Sequence, residues 1–169
     1  MKILRIQLMP RKKNRVLVHL DGLQDLEDIE PLEIALDVAE RSGIHVGDSL
    51  TAKDLAQLQE DDTKWRTRQA ALHLLSYRPR AEQELRVRLR SKGFPHASVE
   101  WCLRHLEEQG LIDDHNFASA FVRSRIRLRP RGRFRLSQEL REKGVTAEVA
   151  EQAIDQAFNN EETSEQDLA

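Results

Sequence analysis

One short motif occurs twice in this chain, each time where a helix cannot continue. Arg78-Pro79-Arg80 recurs 51 positions on as Arg129-Pro130-Arg131. At the same offset Leu85 matches Leu136, Leu89 matches Leu140, Arg90 matches Arg141, and Lys92-Gly93 matches Lys143-Gly144. Further on, Phe94 falls on Val145, Cys102 on Ala153 and Leu103 on Ile154. A residue before proline is pushed out of the helical region, so each motif ends a helix. The glycine after each lysine ends the next one. The unit is therefore helix, Arg-Pro-Arg break, helix, Lys-Gly stop, helix, which resembles a helix-turn-helix. Neither unit buries enough surface alone, so the two are expected to stack as an elongated array sharing a core.

The apolar spacing fills in the elements. Helices are predicted over about 64–77, 81–92 (Ala81, Leu85, Leu89) and 97–109 (Val99, Cys102, Leu103, Leu106). A fourth, capped by Asp113-Asp114, runs to about Leu128; a fifth covers about 135–143 and a sixth about 147–158. Ahead of the repeats, residues 3–8 and 16–20 alternate around a polar 10–14 segment and read as a β-hairpin, with Asp21-Gly22 as a turn. A lone hairpin is marginal in water. Pro31, then Leu32, Ala35, Leu36 and Ala39 at helical spacing, with Gly43 as the stop, predict a helix to pack on it. Thr51-Ala52-Lys53-Asp54 starts a short helix to about Gln59, and Glu60-Asp61-Asp62 reads as a polar junction. The expected fold is mainly α, with tandem three-helix repeats after a small α+β region. Its divisions are 1–63, a first repeat at 64–110, a second at 111–158, and an acidic tail at 159–169 expected to be disordered.

A net charge of −2 conceals a strong asymmetry. Residues 64–145 carry 19 Lys/Arg against 9 Asp/Glu; residues 1–63 carry 8 against 13, and 146–169 none against 7. A solvated helical surface interleaves both signs. An excess of this size is the footprint of a phosphate or acidic protein partner. Aromatics are only 5%, so the core must be Leu, Val, Ile and Ala, which suits thin helical layers. A single cysteine excludes an internal disulfide and suits a reducing cytoplasm. No apolar stretch approaches the roughly 18 residues of a membrane span. Lys2 and Arg5 are followed by no long apolar region, so no secretory signal is expected.

Arginine occupies every odd position from 123 to 135. Pro130 and Gly132 argue against a strand. On a helical wheel Arg123 and Arg127 point away from the apolar stripe of Phe117, Ala118, Phe121, Val122, Ile126 and Leu128, whereas Arg125 falls on its side, free to snorkel or to pair with a carboxylate such as Asp113. Arg131, Arg133 and Arg135 surround the break near a helix N-terminus, which favours anions. The candidate partner contacts are therefore Arg123, Arg127, Arg131, Arg133 and Arg135, with Arg78 and Arg80 at the equivalent break. Arginine suits bidentate contact with phosphate or carboxylate. No metal site or cofactor is expected: Cys102 and His105, with His115 following, lack paired cysteines, and Cys102 lies on an apolar stripe. There is no Gly-rich phosphate loop, nucleophile elbow or His-Glu-x-x-His, so no enzyme is expected. Trp65 is expected to anchor the first helix, and Trp101 to flank the core.

Several of these motifs carry a family likeness. The run Ala71-Leu72-His73-Leu74-Leu75-Ser76-Tyr77-Arg78-Pro79-Arg80, then Glu84-Leu85, Lys92-Gly93-Phe94, Gly110-Leu111-Ile112-Asp113-Asp114, Phe117-Ala118 and 138–145 resemble RecX. The likeness spans about residues 65–158. It implies helical tandem repeats that bind the groove of the RecA filament and modulate, usually inhibit, its recombinase, ATPase and coprotease activities without catalysis. The implied partners are the RecA filament and DNA, single- or double-stranded and met through phosphates, with no membrane, for a monomeric chain. Three features depart from the family pattern. Two repeats stand where three are common. Ala81 replaces a frequent serine N-cap, a loss of about 1 kcal/mol. Phe117 replaces a tyrosine. A helix-turn-helix transcription regulator is the alternative, but the third helices begin Ala97-Ser98-Val99 and Ala147-Glu148-Val149, poor in base-reading side chains. A nuclease would need a carboxylate or metal cluster that the sequence lacks.

Overall fold

The computed structural model describes residues 1–21, 30–128 and 131–166, the last six as backbone. The chain divides into two units, Met1–Gln69 and Ala70–Ala169. In the first, β1 (Ile3–Leu8), β2 (Arg15–Leu20) and β3 (Leu32–Ala35) form an antiparallel sheet in that order. The hairpin is present, with Ile6 opposite Val18 and Leu8 opposite Val16. The helix expected from Pro31 is corrected. Leu32–Ala35 is a strand pairing Val16 with Ile34, and α1 is only Leu36–Ser42. The reason is a competing period: Leu32, Glu33 and Ile34 also alternate, and β2 offers an open edge. Glu33 then points to Lys12 (2.8 Å) and Arg15 (2.9 Å) while Ile34 is fully buried.

The junction at 60–62 is corrected too. One helix, α2, runs unbroken through Ala52–Tyr77. Its start is the expected reciprocal cap, Thr51 N–H to Asp54 (2.8 Å) and Asp54 N–H to Thr51 Oγ1 (3.2 Å). Nothing at 60–62 breaks it, because the three acidic residues include no glycine or proline, and Asp62 is turned inward. Its carboxylate accepts from the Ala35 N–H and from Arg15, both at 2.7 Å, and so ties α2 to β3 and β2. Ile3, Val16, Val18, Ile34, Val38 and Leu58 make this unit's core. Trp65 packs on it and donates to Asp37 (3.2 Å).

The second unit begins within α2 and continues with α3 (Glu82–Ser91), α4 (His96–Glu108), α5 (Asp114–Leu128), α6 (Arg133–Glu142) and α7 (Ala147–Gln166). The backbone of α7 extends past the expected end at Phe158, so the segment from 159 to 166 is helical rather than disordered; 167–169 lie outside the described residues. The extension contains neither glycine nor proline, so nothing in it breaks the helix. The repeat is obeyed in the cores: Leu85 and Leu136, Leu89 and Leu140, and Leu103 and Ile154 are all buried, each set in its own cluster. Gly93 (φ +88°) and Gly144 (φ +85°) take the left-handed conformation that ends α3 and α6.

Among the described residues, the repeats meet at the N-cap and first turn of α3. Ala81 is buried in the second repeat's core. The Glu82 N–H, which Ala81 cannot cap, is taken by Asp114 Oδ1 at 2.9 Å. Beside them, Gly144 lies so close to Gln83 that a Cβ on the glycine would stand 2.7 Å from the Gln83 Cβ. Asp113, the other half of the expected cap, serves its own helix by accepting from the Asn116 N–H at 3.0 Å.

Candidate functional site

The arginines of the two breaks are gathered by two carboxylates. Glu84 on α3 accepts from Arg78 (2.6 Å), Arg88 (3.0 Å) and Arg80. Arg80 is the buried member, and its Nε also donates to the Leu74 carbonyl (3.0 Å), one of the last-turn oxygens of α2 left without a helical partner. In the second repeat Glu139 on α6 meets Arg125 (3.1 Å), Arg135 (3.3 Å) and Arg131. Arg125 therefore pairs with Glu139 rather than with Asp113, and its guanidinium lies 4.9 Å from the Phe121 ring centre. The pattern is charge-reversed between repeats. Glu84 and Arg88 sit where the second repeat has Arg135 and Glu139.

Each cluster sets three guanidinium groups against one carboxylate, so pairing orders the breaks without neutralising them. Burial pushes the Glu84 carboxyl up, but hydrogen bonds from Arg78, Arg88 and Arg80 and the charge of Arg78 outweigh it, leaving Glu84 below the usual glutamate range. Arg133 is held separately, on Asp155 of α7 and 4.8 Å from the Phe158 ring centre.

Arg123 and Arg127 differ. They are exposed, one turn apart on the solvent side of α5 as the wheel predicted, and form no ion pair among the described residues. With Asn116, Ser119, Gln156 and Asn160 they line a groove of about 490 Å³ between α5 and α7, floored by Ile126, Ala153 and Ala157. Amides, a hydroxyl and two free guanidinium groups are the chemistry of phosphate and sugar contact.

Of the seven sequence candidates, the structure thus brings Arg78 and Arg80 together on Glu84, and Arg131 and Arg135 on Glu139. It fixes Arg133 on Asp155 and leaves Arg123 and Arg127 open. Arg129 and Pro130 lie outside the described residues. The sequence marks Glu84 and Glu139 only as parts of the family motifs; their role as the shared anions comes from the fold, although their i, i+4 spacing to Arg80, Arg88 and Arg135 is legible. Asp155, 22 positions from Arg133, leaves no local signal. Cys102 is a buried core residue, and His105 Nδ1 lies 3.0 Å from the Trp101 carbonyl.

Comparison with known proteins agrees with this architecture. Residues 68–106 match the family model described as RecX, first three-helix domain, and residues 113–154 match RecX, second three-helix domain. The chain is similar to the regulatory protein RecX of Halalkalibacterium halodurans, 34% identical over 97% of this chain and 60% of that protein. It is also similar to that of Prosthecochloris aestuarii, 37% identical over 57% of this chain and 64% of that one. It therefore spans under two thirds of these relatives' lengths. A crystal structure of a regulatory protein RecX superposes with a TM-score of 0.74 at 29% identity, covering 92% of this chain and 73% of that one. Carrying both three-helix domains in order, the chain belongs to the RecX family.

Proposed function

We propose that this chain is a non-enzymatic regulator that binds the RecA filament on DNA and restrains its ATPase, recombinase and coprotease activities. The observation that carries the reading is the pair of arginines on α5 that form no ion pair among the described residues. In a chain with two RecX three-helix domains, Arg123 and Arg127 present a free cationic face where most neighbouring arginines are committed to Glu84, Glu139 and Asp155. This face meets the phosphates of the filament's DNA, and the breaks keep the surrounding potential positive.

Co-sedimentation with RecA filaments on single-stranded DNA, repeated across salt concentrations, tests it. Two phosphate contacts on a single strand contribute about 1.4 to the slope of log affinity against log salt. The Arg123→Ala/Arg127→Ala variant is expected to bind more weakly and with a slope lower by about that amount. An unchanged slope removes the α5 face from the reading. Binding to one duplex sequence with a discrete footprint, and none to filaments, would indicate a transcription regulator instead.

A further inference from the structure

A second groove lies on the other side of α5. It measures about 670 Å³ and runs between the Arg78-Pro79-Arg80 break, the turn at 110–113 and the α5 face carrying Phe117, Phe121 and Arg125. Its floor is apolar: Leu111 is 47% exposed, and the Phe117 and Phe121 rings, half-buried over the second core, stack with centres 6.2 Å apart. Its rim is cationic. Arg78 comes from the Glu84 cluster, Arg125 from the Glu139 cluster, and Lys143 from the end of α6. The single carboxylate among the lining residues, Asp113, is already engaged by the backbone N–H and side-chain amide of Asn116 (3.0 and 2.9 Å). Arg78 and Arg125 are held by Glu84 and Glu139, each a carboxylate shared among three guanidinium groups, so the rim keeps an excess of positive charge.

The two sides of α5 suit different partners. Contact with phosphate alone needs no apolar floor. The groove floored by Leu111, Phe117 and Phe121 accommodates an aliphatic or aromatic side chain, and its volume is in the range of a binding pocket. We propose that the groove docks an acidic protein segment bearing one large apolar side chain. That side chain rests on Leu111, Phe117 and Phe121, and the flanking carboxylates meet Arg78, Arg125 and Lys143. This deepens the regulator reading, on which it rests for its biological setting, by supplying the protein half of the contact.

The test uses the full chain and two fluorescent probes in anisotropy titrations without RecA: a short Asp/Glu peptide with one central phenylalanine, and an oligothymidylate. Peptide affinity is expected to fall about tenfold in Leu111→Asp and in Lys143→Glu, and again when the peptide's phenylalanine becomes alanine. It is expected to be unchanged in Arg123→Ala/Arg127→Ala, which weakens the oligothymidylate instead. Leu111 lies in an exposed turn, so its variant is expected to melt like the parent. No saturable peptide binding, indifference to the central phenylalanine, or loss of the oligothymidylate rather than the peptide in Leu111→Asp would each overturn the inference. Peptide binding with the expected variant pattern, in a chain that fails to bind RecA filaments, would uphold the groove and overturn only the regulator reading.

Discussion

At the residue scale, Glu84 and Glu139 matter more than any single arginine, because each holds three. Glu84→Gln would leave Arg78, Arg80 and Arg88 without their shared anion, Arg80 in a buried position. A loss of about 2 kcal/mol is expected, read as a fall in urea midpoint. Exchanging the pair, Glu84→Arg with Arg88→Glu, recreates the second repeat's arrangement and is expected to restore most of the loss. A double variant no better than the single one would show that the clusters are not equivalent. The pH dependence carries opposite signs at two neighbouring carboxyls. Glu84 is lowered from 4.5, so its contribution is present above that value and lost as pH falls through its folded pKa. Asp114 is raised from 3.8, chiefly by burial and further by the charges of Glu82 and Asp113, against the Glu82 N–H that lowers it. Its contribution is full below 3.8 and is lost as pH rises through its folded pKa. Asp114→Asn keeps an acceptor for the Glu82 N–H and relieves the buried charge. At pH 7 it is therefore expected to hold or exceed parental stability, while Asp114→Ala loses about 1 kcal/mol. Equal losses in the two variants would remove the cap from the account.

At the scale of elements, the two Lys-Gly stops give a controlled comparison. Both glycines have positive φ, so either alanine substitution carries a backbone cost of roughly 1–2 kcal/mol. A Cβ at Gly93 meets nothing within 4 Å, whereas one at Gly144 runs into Gln83. Gly144→Ala is therefore expected to be the more destabilising in thermal melts, and equal losses would mean the repeats do not meet there. The helices of the second unit were legible because their breaks are written as proline and glycine and their cores as leucine at i, i+4. The strand at Leu32–Ala35 was not, because four residues satisfy two periods at once and only an open sheet edge decides between them. Nor was the unbroken α2, where Asp62 looked like a solvated junction until Arg15, 47 positions away, supplied its partner. Long-range ion pairs leave no periodicity to read. The same gap hid the commitment of Arg131 and Arg133, which the local sequence marks only as basic.

At the scale of the molecule, α5 separates two surfaces. One side carries Arg123 and Arg127, without an ion pair among the described residues, over the groove shared with α7; the other carries a groove floored by Leu111, Phe117 and Phe121 and rimmed by guanidinium groups shared with Glu84 and Glu139. The first was legible from the wheel. The second depends on the Arg78-Pro79-Arg80 break and the 110–113 turn meeting α5, which the repeat implies without placing. Restraint of the filament through α5 is read most directly from ATP hydrolysis by the cognate RecA on single-stranded DNA, titrated with the parent chain and with Arg123→Ala/Arg127→Ala. The parent is expected to lower hydrolysis below stoichiometric ratios, and the variant, folded to the same melting temperature, to need several-fold more protein for the same effect. Hydrolysis unchanged by excess parent chain, or lowered equally by both proteins, would contradict such restraint.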